Sequence, residues 1–224
     1  MIGSTLYNMS LGPSYAQEST FSSNTNTNTD TPTYIGVAMK GNYTSDKEIG
    51  EDSDDVVPSN YYEESFKLIH DAGLNHVRYL LYWESYVRNP SLFLQELETV
   101  ADTADRWGIK VLYDNHQWHT SSWLESRATG FPSFLFETNP ELEMDSGGNT
   151  NDDSARVWWT DWWNRSVRDV NGNDGWSLLA GFHTNLVNAL DRHPSTIGYE
   201  ILSEPQIHSD DQWEKVGEFN TFMV

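Results

Sequence analysis

Apolar residues along this chain fall into short runs that alternate with helical stripes. Residues 34–39 (YIGVAM) form a brief apolar run, which predicts a strand. A polar loop follows, acidic between Asp46 and Asp55, without the ligand pattern of a calcium loop. Over residues 61–72, Tyr62, Phe66, Ile69 and Ala72 recur at helical spacing, and Gly73 supplies the stop. Residues 75–82 (NHVRYLLY) predict a second strand. Residues 92–107 predict a helix with Leu94, Leu97, Val100, Ala101 and Ala104 on one face and Gly108 as its end. Residues 109–114 (IKVLYD) predict a third strand, and a long connection runs over 115–151. Helices are expected over 155–167 and 176–191, a fourth strand over 196–202 (TIGYEIL), and a last helix opens at Trp213.

Strands that alternate with helices predict a parallel sheet with right-handed crossovers. A doubly wound sheet and a (β/α)8 barrel both carry this order. No G-x-G-x-x-G or P-loop follows the first strand, which weakens a nucleotide-binding sheet. Polar and aromatic residues instead crowd the C-terminal strand ends: Arg78 and Trp83 at the second, Asp114, His116, Trp118 and His119 at the third, Ser203, Glu204 and Pro205 at the fourth. Barrel enzymes gather their chemistry on that rim. The expected fold is therefore α/β, a (β/α)8 barrel cut after about four βα units.

Composition narrows the chemistry. The 224 residues contain no cysteine, which removes disulfides, thiolate metal sites and cysteine nucleophiles. Thirty-four acidic residues against 13 basic ones give a formal charge of −21, which argues against nucleic acid and anionic membrane surfaces as partners. No apolar run is long enough to span a bilayer. Residues 1–32 combine a possible signal-peptidase site near Ser14 and Ala16 with the polar tract STFSSNTNTNTDTPT. They are expected to be a signal-peptide remnant and linker, which implies export to the extracellular space. Residues 33–224 form the expected catalytic domain, and the chain stops at Val224 in mid-helix.

Glu204 is the foremost candidate for chemistry. A carboxylate at a strand end, stiffened by Pro205 and biased by it toward an extended backbone, can protonate a departing oxygen and then activate water. Taken alone, it could equally be an exposed loop glutamate.

It does not stand alone. The run 193–205 (HPSTIGYEILSEP) resembles the fourth strand of glycoside hydrolase family 5, the cellulase family of clan A, which ends Asn-Glu-Pro. Residues 74–82 resemble the family's second strand, with its Arg at Arg78. Residues 111–116 (VLYDNH) resemble its third, with its His at His116. The resemblance spans residues 33–224 and covers the first four strands. It implies a retaining hydrolase of β-linked polysaccharide, such as β-glucan or mannan, with Glu204 as acid/base and no metal or organic cofactor. The family's Asn is Ser203 here, so contact with a sugar 2-hydroxyl would need water or a shifted sugar, or the substrate differs at C2.

A retaining site needs a second carboxylate about 5 Å from the first. The family's lies at the end of strand seven, outside this chain, so these residues alone are expected to be inactive. Glu200 sits four residues back, about 13 Å down the strand, and is expected inside the barrel, where a buried carboxylate needs either a barrel Arg or Lys as partner or a proton of its own. Arg78 either orients the nucleophile or is a strand-edge arginine. His116 could bond a sugar hydroxyl or the nucleophile, and His119 is a weaker candidate. With Asp114 the two histidines lack a further ligand at metal spacing. Trp83, Trp118 and Trp123 are candidates to stack on pyranose rings. Trp158, Trp159, Trp162 and Trp163 form one helix face, read as core in preference to a cleft lid. A carbohydrate-binding protein without catalysis, or a degenerate remnant on the same scaffold, is the alternative.

Overall fold

The computed structural model describes residues 32–44 and 60–224, so the segment expected to be a signal-peptide remnant and the acidic stretch between Asp46 and Asp55 lie outside the described residues. Four parallel strands follow in sequence order: β1 (Gly36–Lys40), β2 (His76–Leu81), β3 (Lys110–Asn115) and β4 (Thr196–Glu200). Each strand after the first is reached through helices, as in one arc of a (β/α)8 barrel. These are α1 (Tyr61–Asp71), α2 (Trp83–Arg88), α3 (Pro90–Trp107), α4 (Asp153–Trp163), α5 (Gly175–Leu190) and α6 (Gln212–Met223).

Strand periodicity divides the sheet into two faces. Val77, Tyr79 and Leu81 of β2, with Val111 and Tyr113 of β3, are buried outward. They share a core with Leu97, Val100, Ala101 and Ala104 of α3, four of the five stripe positions expected from sequence; Phe93 is buried with them, while the fifth, Leu94, is only partly buried. Gly108 ends α3 in the left-handed conformation (φ 64°), and its N–H bonds back to Ala104. The opposite face carries Arg78 and Glu200, and no further strand covers it among the described residues. At the N-terminal end of β4, His193 Nδ1 lies 2.8 Å from Asp105 Oδ2, while Asp105 Oδ1 accepts from the Ser195 N–H at 2.8 Å, pinning the turn onto α3.

The connection after β3 forms a packed insertion. Trp158, Trp159, Trp162 and Trp163 are all buried, as the core reading expected, against Phe131, Phe136 and Phe219. Two expected bounds need correction, and one helix carried no expectation. Residues 83–88 form α2, which is too short to show a helical period. The helix expected over 155–167 ends at Trp163, after which Arg165 turns into the left-handed region. The fourth strand ends at Glu200 instead of continuing to residue 202.

Candidate active site

Because all four strands are parallel, their C-terminal ends share one edge of the sheet. Arg78, on the inner face of β2, is the hub of this region. Its Nη2 donates to Glu200 Oε2 at 2.9 Å and to Ser203 Oγ at 3.1 Å, and lies 3.1 Å from Asp114 Oδ2. Burial alone would weaken its hold on a proton. Asp114 and Glu200, with a smaller contribution from Glu204, outweigh that and raise its pKa further. Asp114 is fully buried, and its Oδ2 also lies 3.1 Å from His116 Nδ1. One continuous contact chain therefore links His116, Asp114, Arg78, Glu200 and Ser203. The barrel partner expected for Glu200 is Arg78.

Ser203 is buried, its hydroxyl accepts from Arg78 and its N–H donates to the Asn115 carbonyl at 3.0 Å. Its short side chain is turned toward Arg78 on the inner face of the sheet.

Glu204 is exposed beyond the end of β4. Its backbone does not adopt the extended conformation expected before proline: φ is 52°, in the left-handed region. The β3 loop braces it there. Gln117, which carried no signal in the sequence, is buried and donates from Nε2 to the Glu204 carbonyl at 2.6 Å. Its Oε1 accepts from the Thr120 N–H at 2.7 Å.

The aromatic candidates separate sharply. Trp118 is 52% exposed and stacks on His119, with ring centroids 4.4 Å apart and planes 14° from parallel. His119 Nδ1 lies 2.8 Å from Glu125 Oε2, which anchors the pair. Paired backbone bonds between Trp118 and Thr129 hold the base of this hairpin. Trp83 is 3% exposed and stacks on Phe182 in the core, so it offers no face to a ligand. Trp123 is partly buried, with one face covered by Phe136. Trp83 belongs to the packing behind the rim, where the start of α2 buries it.

A second residue without a sequence signal holds the insertion in place. Buried Glu84 of α2 accepts from Thr129 Oγ1 at 2.6 Å and Ser122 Oγ at 3.0 Å. Burial raises its pKa, and these bonds only partly offset that. A buried, hydrogen-bonded glutamate looks like any surface glutamate in a linear sequence. Its burial follows from α2, which periodicity did not reveal.

The family model for cellulase (glycosyl hydrolase family 5) matches residues 35–224. A search of curated proteins gives no match. Among solved structures, the chain is similar to an endogalactoceramidase, with a TM-score of 0.62 and 15% identity over 84% of this chain and 44% of that one. It is also similar to endo-glycoceramidase II from Rhodococcus sp. in its ganglioside GM3 complex, with a TM-score of 0.59 and 15% identity over 84% of this chain and 47% of that one. The chain thus spans less than half the length of these two structures, and at that identity the likeness is one of fold. With the family model matching from β1 through α6, the chain belongs to glycosyl hydrolase family 5.

Proposed function

We propose that this chain is the part of an exported retaining β-glycoside hydrolase that contributes the acid/base. The observation that carries this reading is the exposed Glu204 at the β4 end of a family 5 sheet, beside the Arg78–Asp114–His116 chain. In this reading, Glu204 donates a proton to the departing glycosidic oxygen and then removes one from the attacking water. The nucleophile comes from beyond residue 224. Glu200 is unsuited to that role because it is held by Arg78. The reading assigns β-glucan or mannan as the substrate class, Trp118 as the sugar platform, and His116 and His119 as hydroxyl partners. Arg78 tunes the charge of the site, and the reaction so read calls for no metal or organic cofactor.

In the full-length protein, Glu204→Gln is expected to lower hydrolysis of β-glucan and mannan oligosaccharides by about 10²- to 10⁴-fold. Oligosaccharide binding, followed by calorimetry, should persist. Unchanged hydrolysis would remove Glu204 from the acid/base role. Ser203, turned toward Arg78 where the family carries Asn, favours a second reading, a carbohydrate-binding protein without catalysis. That reading predicts oligosaccharide binding with no hydrolysis by the unaltered full-length protein.

A further inference from the structure

The Glu204 carboxylate accepts no hydrogen bond among the described residues and only its charge reaches Arg78, so the point from which it extends is set by the backbone that carries it. That backbone is in an unfavourable place. A non-glycine residue with φ of 52° is uncommon, and the following Pro205 has no N–H with which to support a turn. Such a conformation persists only where its surroundings impose it.

Those surroundings are specific. Gln117 holds the Glu204 carbonyl at 2.6 Å and, through its other amide atom, the Thr120 N–H at 2.7 Å. His119 and Thr120 are themselves left-handed, with φ of 52° and 70°. One amide therefore braces two unfavourable backbone segments, one in each rim loop. Two residues past Glu204, the Gln206 side chain donates to Thr120 Oγ1 at 3.1 Å, and the Gln206 carbonyl accepts from Trp163 Nε1 at 2.9 Å. The packing leaves Gln117 little room to move. A Cβ at Gly130 would sit 2.5 Å from Gln117 Cβ, and Gly130 has a φ of 148° that a side chain would resist.

We infer that Gln117 is a positioning residue that aims the Glu204 carboxyl by fixing its backbone from the β3 loop. This rests on the reading of Glu204 as acid/base. Gln117→Glu tests the bond with little change of shape: it keeps an acceptor for Thr120 N–H but replaces the amide donor to Glu204. Gln117→Met removes both bonds at similar volume and serves if the glutamate variant fails to fold.

The assay uses the full-length enzyme and aryl β-glycosides (cellobioside, lactoside and mannobioside), each with a phenyl or a 2,4-dinitrophenyl leaving group. Phenolate needs protonation to depart, whereas dinitrophenolate does not. The expected kcat/KM on the phenyl glycoside falls about 10- to 100-fold, with a change below about threefold on the dinitrophenyl glycoside. Equal losses on both would show a general structural role, and no loss on either would show that the bond does not aim Glu204. Either result overturns the inference. Glu204→Gln is the control. If it shows no dependence on the leaving group, or if the unaltered enzyme cleaves none of these glycosides, the acid/base reading itself fails and the role of Gln117 falls with it.

Discussion

Arg78 and Glu200 meet at 2.9 Å although a whole strand, β3, lies between the strands that carry them. In a barrel, alternate strands contribute side chains to the same interior layer, and this pair is the ionic form of that rule. The same guanidinium balances Asp114, which has no exposed surface. Arg78→Met should therefore leave a buried carboxylate without a countercharge and destabilise the protein by about 3–5 kcal/mol. Glu200→Gln should cost less, about 1–2 kcal/mol, because that carboxylate is part-exposed and Arg78 keeps Asp114. Urea unfolding of the two variants checks the order, and equal losses would mean that Asp114 does not depend on Arg78.

His183 makes stability pH-dependent. It is buried in α5 with Nε2 2.9 Å from the Ile201 carbonyl. Burial depresses its pKa to about 4, with the Ile201 bond offsetting only part of the effect. The unfolded chain binds the proton near pH 6.5, so it takes up a proton that the folded state refuses. Stability is then full above about pH 6.5 and falls as the pH drops toward 4, by about 3 kcal/mol in total. His183→Gln should flatten that part of the profile. Parallel profiles for the variant and the parent would refute the assignment.

Trp118 on the rim and Trp83 in the core should respond in opposite ways. Trp118→Ala removes an exposed platform, so the melting temperature should hold while oligosaccharide affinity drops about two- to tenfold. Trp83→Ala empties a core position stacked on Phe182 and should cost about 3–5 kcal/mol of stability. Titration calorimetry beside thermal melting separates them. A stability loss at Trp118 without a binding loss would identify it as packing.

The outer edges of β1 and β4 pair with no strand among the described residues. Open parallel edges invite pairing with another chain. The 224-residue chain expressed by itself should self-associate, as seen by size-exclusion chromatography with light scattering. A monomer with a cooperative melt would contradict this.

What the sequence revealed and what it concealed divide along physical lines. The α3 stripe from Leu97 to Ala104 is periodic, so spacing alone placed it, and the run around Val77, Tyr79 and Leu81 marked a strand without showing which side would be buried. Glu200 was legible as interior from its distance along the strand. Gln117 and Glu84 were not, because their roles depend on loops brought together across long separations, to Glu204 in one case and Thr129 in the other. Trp83 was misassigned for a related reason. A tryptophan after a strand looks like a rim residue until the six-residue α2 turns it inward. The left-handed φ of Glu204 runs against the usual effect of proline on the preceding residue, and only the partners of its carbonyl account for it.

The tryptophan-rich insertion has a consequence for how this barrel could diversify. Trp163 reaches the Gln206 carbonyl, and Trp159 donates to Thr120 Oγ1, the same oxygen that receives Gln206. Rim loops are usually the freely exchangeable part of a barrel, replaced by evolution or by grafting to acquire new substrates. Here the outer tip of the insertion is open to such exchange, but its root is not. Any transplanted loop must restore both indole donors or it will unsettle the segment that follows Glu204.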